Sequence, residues 1–338
     1  INNVTSDLNV HLVCYEEGHH GGDNDPVIEG NTLVKWDAVG DAVVPNNVKH
    51  IADFAFTGSK LTGLTISAQV ETIGVLPFMF CGQLKKLEVD AANPHFKSVD
   101  NAVYSKDGKE LVQVATVYPK EVFTLPASVE KVRTGAFTFA MSIKKIEGGN
   151  DFFETVDGML IRKADRALMH FPSFVQQGQA AKPIELPNDI KKIERYAFAF
   201  NFVPQELVLP ESLEVLEDYA FNGAANIVKL KIDHCKALKR VGNFCFKGCF
   251  RLASFDLPQE GVTFIGEQAL QGTAIVSLNI PTNVQIGANA FRGCQSIANV
   301  FSFNTVPPVL DELAFSDIAE IEQATLHVPF GTKAAYSQ

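Results

Sequence analysis

The chain has 338 residues, 46% of them hydrophobic and 20% charged, enough apolar content for a large core and too much for a disordered chain. No run of about 18 apolar residues occurs, which argues against a membrane-spanning helix. Thirty-nine acidic against 29 basic residues leave a net charge of −10, and no concentrated basic face exists to hold a nucleic-acid backbone.

From the N-terminus, residues 1–26 read as a strand (LNVHLVCY) followed by a flexible Gly-rich linker. The chain opens on Ile1 rather than Met, which reads as a processed or trimmed form with any signal peptide outside it. Within the linker, EEGHHGGDND at 16–25 sets His19 and His20 beside several carboxylates. Adjacent histidines in a Gly-rich run lack the fixed spacing of zinc or calcium motifs, so the linker reading is preferred over a metal site.

Residues 27–338 are expected to form a single solenoid of about nine units, anchored on Phe56, Phe78, Phe137, Phe198, Phe221, Phe246, Leu270, Phe291 and Phe315. The spacings are 22, 59, 61, 23, 25, 24, 21 and 24, so six of eight intervals cluster near 23. Five residues before each anchor stands an aliphatic residue, from Ile51 to Leu310, and immediately before it a small or compact one, usually Ala. A short alternating segment follows, as in LKKLEV or IVKLKI. Two periods inside one unit mean a brief strand and a compact return, and only stacked copies can bury both apolar edges. The expected fold is a repeat solenoid with short parallel β-strands on one face, irregular or short helical returns, and inserted β-hairpins.

The hairpins fall near 27–44, 96–126 and 153–187. The last two inserts align with each other along V-D-[NG]-x-[VL]-[YI]-x-[KR]-x-x-x-x-L, in FKSVDNAVYSKDGKELVQV and FETVDGMLIRKADRALMHF. Gly108 supplies the positive φ of a hairpin turn. The first hairpin, with Trp36, reads as an N-terminal cap, and LHVPFGTKAAYSQ as a terminal strand and cap.

The core A-F-x-G-C-x-x-L, clearest in AFRGCQSI and CFKGCFRL, resembles the BspA-like subfamily of leucine-rich-repeat proteins. These are mostly surface or secreted proteins of bacteria, with relatives in some protozoa. The resemblance covers about residues 27–338. It implies a leucine-rich-repeat solenoid, a surface or secreted location, and adhesion to an extracellular protein ligand of host or bacterial origin. Leu270, Pro77 and Pro204 depart from the pattern in single turns.

No Ser elbow, Cys/His pair, phosphate-cradling loop or H-E-x-x-H is present, so no catalytic residue and no cofactor is expected. Cys81, Cys249 and Cys294 each follow an anchor by three residues, in turns too far apart to bond. Cys245 falls in the small-residue column, while Cys14 and Cys235 lie outside the scheme and could pair only by an approach the repeat does not predict; the preferred reading is free thiols, packed rather than bridged. The abundant Phe reads as core. Alternation leaves one outward column of Gly63, Lys86, Lys145, Glu206, Lys229, Ser254, Ser277 and Asn299. Its neighbour reads Thr65, Glu88, Glu147, Val208, Lys231, Asp256, Asn279 and Phe301. A partner docking on this face would meet Lys86, Lys145, Lys229, Lys231 and Phe301. The alternative function is a carbohydrate- or metal-binding protein or hydrolase using a hairpin-lined pocket or residues 16–25.

Overall fold

A computed structural model describes residues 24–172, 183–201 and 205–337. Each turn of the coil contributes to two ladders of parallel strands. The outward-facing alternating segments form the first: Val39–Val43, Lys60–Ile66 and Lys86–Val89; then Val122–Thr124 and Lys145–Glu147; then Ile184–Glu185, Glu206–Val208, Lys229–Lys231 and Ser254–Phe255; and finally Ser277–Ile280, Asn299–Ser302 and Thr325–His327. Corresponding residues stand in register, for example Glu206 beside Lys229 and Lys229 beside Ser254.

The returns are not helical. Among the described residues helix is confined to two single 3₁₀ turns, Ile321–Gln323 and Ala335–Ser337. The aliphatic residue five before the anchor instead ends a two-residue strand in eight of the nine units, such as His50–Ile51, Val215–Leu216 or Phe264–Ile265, and these strands stack into the second ladder; Leu310 in the last unit is in no strand. Hydrophobic periodicity cannot distinguish a two-residue bridge from a tight turn, because alternation needs at least four residues to register.

The hairpins extend this second ladder. Thr32–Lys35, Glu110–Val114 and Ala167–His170 each pair antiparallel with the strand before them and parallel with the next strand of the second ladder, His50–Ile51, Lys131–Val132 and Lys192–Ile193. Three unanchored turns thereby join the nine anchored ones, for a coil of about twelve. Gly108 does adopt positive φ, +77°, in the turn between Ala102–Ser105 and Glu110–Val114.

Both ladders break where the two long inserts enter, and the inserts cover the exposed edges. Asn101 Oδ1 accepts from the Leu87 amide at 3.2 Å and Ser98 Oγ from the Val89 amide at 2.9 Å. At the second break the Gly158 carbonyl accepts from the Ile146 amide at 3.0 Å. An unpaired strand edge carries orphan polar groups, and here one insert supplies side chains where the other supplies backbone. The carbonyls left by the missing turn are met by an asparagine in each insert. Asn93 donates to the Ser67 and Val70 carbonyls at 2.9 Å and accepts from the His95 and Phe96 amides at 2.8 Å. Asn150 repeats the pattern with Ala127, Val129, Phe152 and Phe153.

The anchors form the core, as expected. Phe171, Phe198, Phe221 and Phe246 stack with centroids 4.5–5.0 Å apart, and all four are fully buried. Such contacts add about 0.5–1.5 kcal/mol per pair beyond area burial. Trp36 packs on Phe56 at 5.9 Å and its amide donates to the Ala55 carbonyl, closing the first turn of the core.

Two residues beyond each anchor the backbone takes positive φ in all nine units. Glycine fills five of these positions, but Phe80, Phe139 and Phe200 fill three, at φ of 61°, 68° and 57°. Left-handed backbone costs a non-glycine residue roughly 1–2 kcal/mol. The three rings meet at 4.7–5.1 Å, so the corners of the three units flanking the inserts converge there. Their mutual packing offsets the strain and ties together what the interrupted ladders do not.

Candidate functional site

The first ladder presents its outward columns as alternation requires. Lys86, Lys145, Lys229 and Lys231 all project from it, each roughly half exposed. They occupy three separate sheets, because the inserts divide the ladder. Phe301 lies on a fourth, toward the C-terminus.

None of the four lysines is alone. Lys86 pairs with Glu88 at 3.2 Å and Lys145 with Glu147 at 2.6 Å, each two residues along its own strand. Lys229 and Lys231 share Glu206 on the neighbouring strand, at 3.4 and 3.8 Å. Exposed pairs of this kind contribute about 0–1 kcal/mol, so a carboxylate on a docking surface can replace the internal partner at little cost. Toward the C-terminus the lysines give way to Ser254, Asp256, Ser277, Asn279 and Asn299.

Phe301 stacks on His327, with centroids 4.2 Å apart and planes 10° from parallel. His327 Nε2 lies 3.0 Å from Asn299 Oδ1. His327 was readable as the next member of the Asn279–Phe301 column, since the register places it directly beside Phe301. From sequence, LHVPFGTKAAYSQ is expected as a terminal strand and cap. The strand is there, but it leaves Leu326 49% exposed and Phe330 fully exposed.

A second concavity lies at the breaks in the coil. A cleft of about 380 Å³ is lined by Ile73, Val75, Val132, Arg133, Arg162 and Met169 among others. Its guanidiniums are engaged within the fold. Arg133 donates to the Ile73 carbonyl at 2.6 Å and, through Nε and Nη2, to Glu110. Arg162 holds Asp165 by two bonds and Glu194 by a third. These contacts keep the Glu110 and Asp165 carboxyls below the usual carboxylate range, against a desolvation that pulls each upward. The cleft brings together no nucleophile and base within bonding distance. No group of three or more His, Cys, Asp or Glu side chains is arranged for a metal among the described residues. Residues 16–23, which carry His19 and His20, lie outside them.

The cysteine column has a structural role. Cys81, Cys249 and Cys294 each direct a thiol to the carbonyl of the previous turn's anchor, Phe56, Phe221 and Leu270, at 2.9–3.2 Å. Cys235 donates similarly to Pro210. These four and Cys245 are unbridged and buried; Cys14 lies outside the described residues. Burial pushes each of the five thiols up, Cys249 to about 12. Since the thiolate is the reactive form, an aromatic disulfide reagent at pH 8 is expected to leave these five unmodified in the native protein and modify them in urea. Rapid native reaction of any one, located by peptide mapping, contradicts its placement.

Residues 31–112 and 171–328 match the model of the BspA-type leucine-rich-repeat region, in six copies. Among solved structures the chain is similar to the pneumococcal vaccine antigen PcpA, at 20% identity and a TM-score of 0.49, over 90% of this chain and 80% of that one. It is also similar to a leucine-rich cell surface protein from Faecalibacterium prausnitzii A2-165, at 17% identity and a TM-score of 0.47, over 94% of this chain and 96% of that one. A leucine-rich-repeat protein from Eubacterium ventriosum gives 15% identity and a TM-score of 0.46, over 88% of each chain. No curated protein matches the chain.

Proposed function

Because the chain belongs to the BspA-type leucine-rich-repeat family, we propose that it is a non-catalytic, adhesin-like protein of the cell surface or the secreted fraction that binds an extracellular protein ligand. The observation that carries this reading is the outward face of the first ladder: a regular array of half-exposed lysines, held only by exchangeable ion pairs, ending in an aromatic pair. The family's usual surface or secreted location supports the placement. No helix among the described residues is long and apolar enough to cross a membrane.

The test is a binding screen of the purified chain against extracellular-matrix proteins, glycans and bacterial surface extracts. A ligand so identified is then titrated with Lys86, Lys145 and Lys229 all changed to Glu. The expected result is saturable binding to a protein, weakened at least about tenfold by the triple change. Binding untouched by the substitutions removes the ladder face from the reading. Metal-dependent hydrolysis without any protein ligand overturns it altogether.

A further inference from the structure

The inserts cover two edges of the first ladder, but the last edge is open. Thr325–His327 pairs with Asn299–Ser302 on one side and with no strand on the other among the described residues. All three of its residues are exposed. Leu326 continues the inward column of Leu278 and Val300, which are 0% and 7% exposed, yet is itself 49% exposed. Residues 328–337 make no strand pairing with this edge. They turn back toward the preceding strand, where the Tyr336 hydroxyl donates to the Asn304 carbonyl at 2.8 Å and lies 2.6 Å from Ser302 Oγ. A strand edge left with outward N–H and C=O groups and an exposed inward-column leucine is a template for a further strand.

Charge decides which strand fits. Between residues 306 and 337 the chain carries Asp311, Glu312, Asp317, Glu320 and Glu322 against Lys333 as its one lysine or arginine. Asp317 is paired with Arg292. Glu320 and Glu322 are exposed on the turn directly before the open strand. A second copy meeting this edge with its own would set the acidic rim against itself, and its other outer edge, Val39–Val43, carries Asp41; like-charge juxtaposition disfavours both pairings.

We propose that the Thr325–His327 edge accepts an extended segment of a partner protein in which apolar and basic residues alternate. The segment's main chain pairs with the open edge, its apolar side chains cover Leu326, and its basic side chains meet Glu320 and Glu322. The ladder-face lysines take no part, so this inference stands or falls separately from the proposed function.

The experiment uses three fluorescein-labelled peptides and fluorescence anisotropy on the full chain: four Lys-Val repeats, the same residues as a lysine block followed by a valine block, and four Glu-Val repeats. The alternating basic peptide is expected to bind at least about tenfold tighter than the other two. Glu320→Lys combined with Glu322→Lys is expected to weaken it about tenfold, and Leu326→Asp to abolish binding. Thermal melts by circular dichroism check each variant. If Leu326→Asp unfolds, the exposed double variant decides. Equal binding of the block peptide shows attraction by charge alone and overturns the proposal, as does indifference to the double variant. A dimer detected by light scattering and dissociated by Leu326→Asp also overturns it, by showing that a second copy occupies the edge.

Discussion

Asn93→Ala is expected to lower the unfolding free energy by about 3–5 kcal/mol, read as the shift in a urea midpoint at unchanged slope. Asn93 is fully buried and its side chain serves four backbone groups, two carbonyls of the preceding turn and two amides of its own. Each buried group deprived of its partner costs about 1–3 kcal/mol, and water reaches some of the four but not all. Asn93→Asp should not rescue, because a carboxylate has no donor and would face the Ser67 and Val70 carbonyls with negative charge. Asn150→Ala should cost less, since its site is only half-buried. A loss below about 1 kcal/mol for Asn93→Ala would mean that solvent replaces the side chain, and that the break is wetter than its burial indicates.

Phe221→Ala is expected to cost about 3–5 kcal/mol, the range for truncating a fully buried aromatic ring. The ring sits between Phe198 and Phe246 at 4.5 and 5.0 Å, so the cavity would open in the middle of a stack with no mobile side chain to fill it. The fold supplies its own control. Leu270 occupies the same position in another turn with no exposure at all, so Phe221→Leu should cost no more than about 1.5 kcal/mol. If both substitutions cost the same, shape in the anchor column matters more than volume, and the equivalence of the repeat positions fails. Guanidinium melts of the two variants side by side settle it.

The parts of this fold that were readable in sequence are those in which side-chain identity repeats. Nine anchors, their aliphatic and small companions, and the outward lysines follow from spacing alone. Lys229 and Lys231 were placed on the outer face because the residues between and after them, Leu230 and Ile232, must be core. Their shared partner Glu206 stands next to Lys229 in the same outward column, so this cross-strand pair follows from aligning turns 23 residues apart. The second ladder stayed hidden behind strands of two residues. Asn93 and Asn150 were missed for another reason: each occurs once per insert, and its value lies in carbonyls that only a broken ladder leaves unpaired. Cys81, Cys249 and Cys294 were correctly read as unbridged thiols, but their S–H bonds to the preceding anchors require knowing which carbonyls turn inward.

The breaks beside Lys86–Val89 and Lys145–Glu147 also set how the molecule responds to mechanical load. Within each continuous stretch, neighbouring turns are joined by in-register ladders of backbone bonds. Across the breaks the regular ladder gives way to isolated bonds, from the Ile146 amide to Gly158, from the Val117 amide to Leu84 and from Arg133 to the Ile73 carbonyl, with the rings of Phe80, Phe139 and Phe200 and the buried core beneath. A pull along the coil axis therefore concentrates at two seams and extends the chain in whole blocks. Each released block retains its own hairpin over its leading end, so slack is paid out in steps while the stacked cores on either side stay closed.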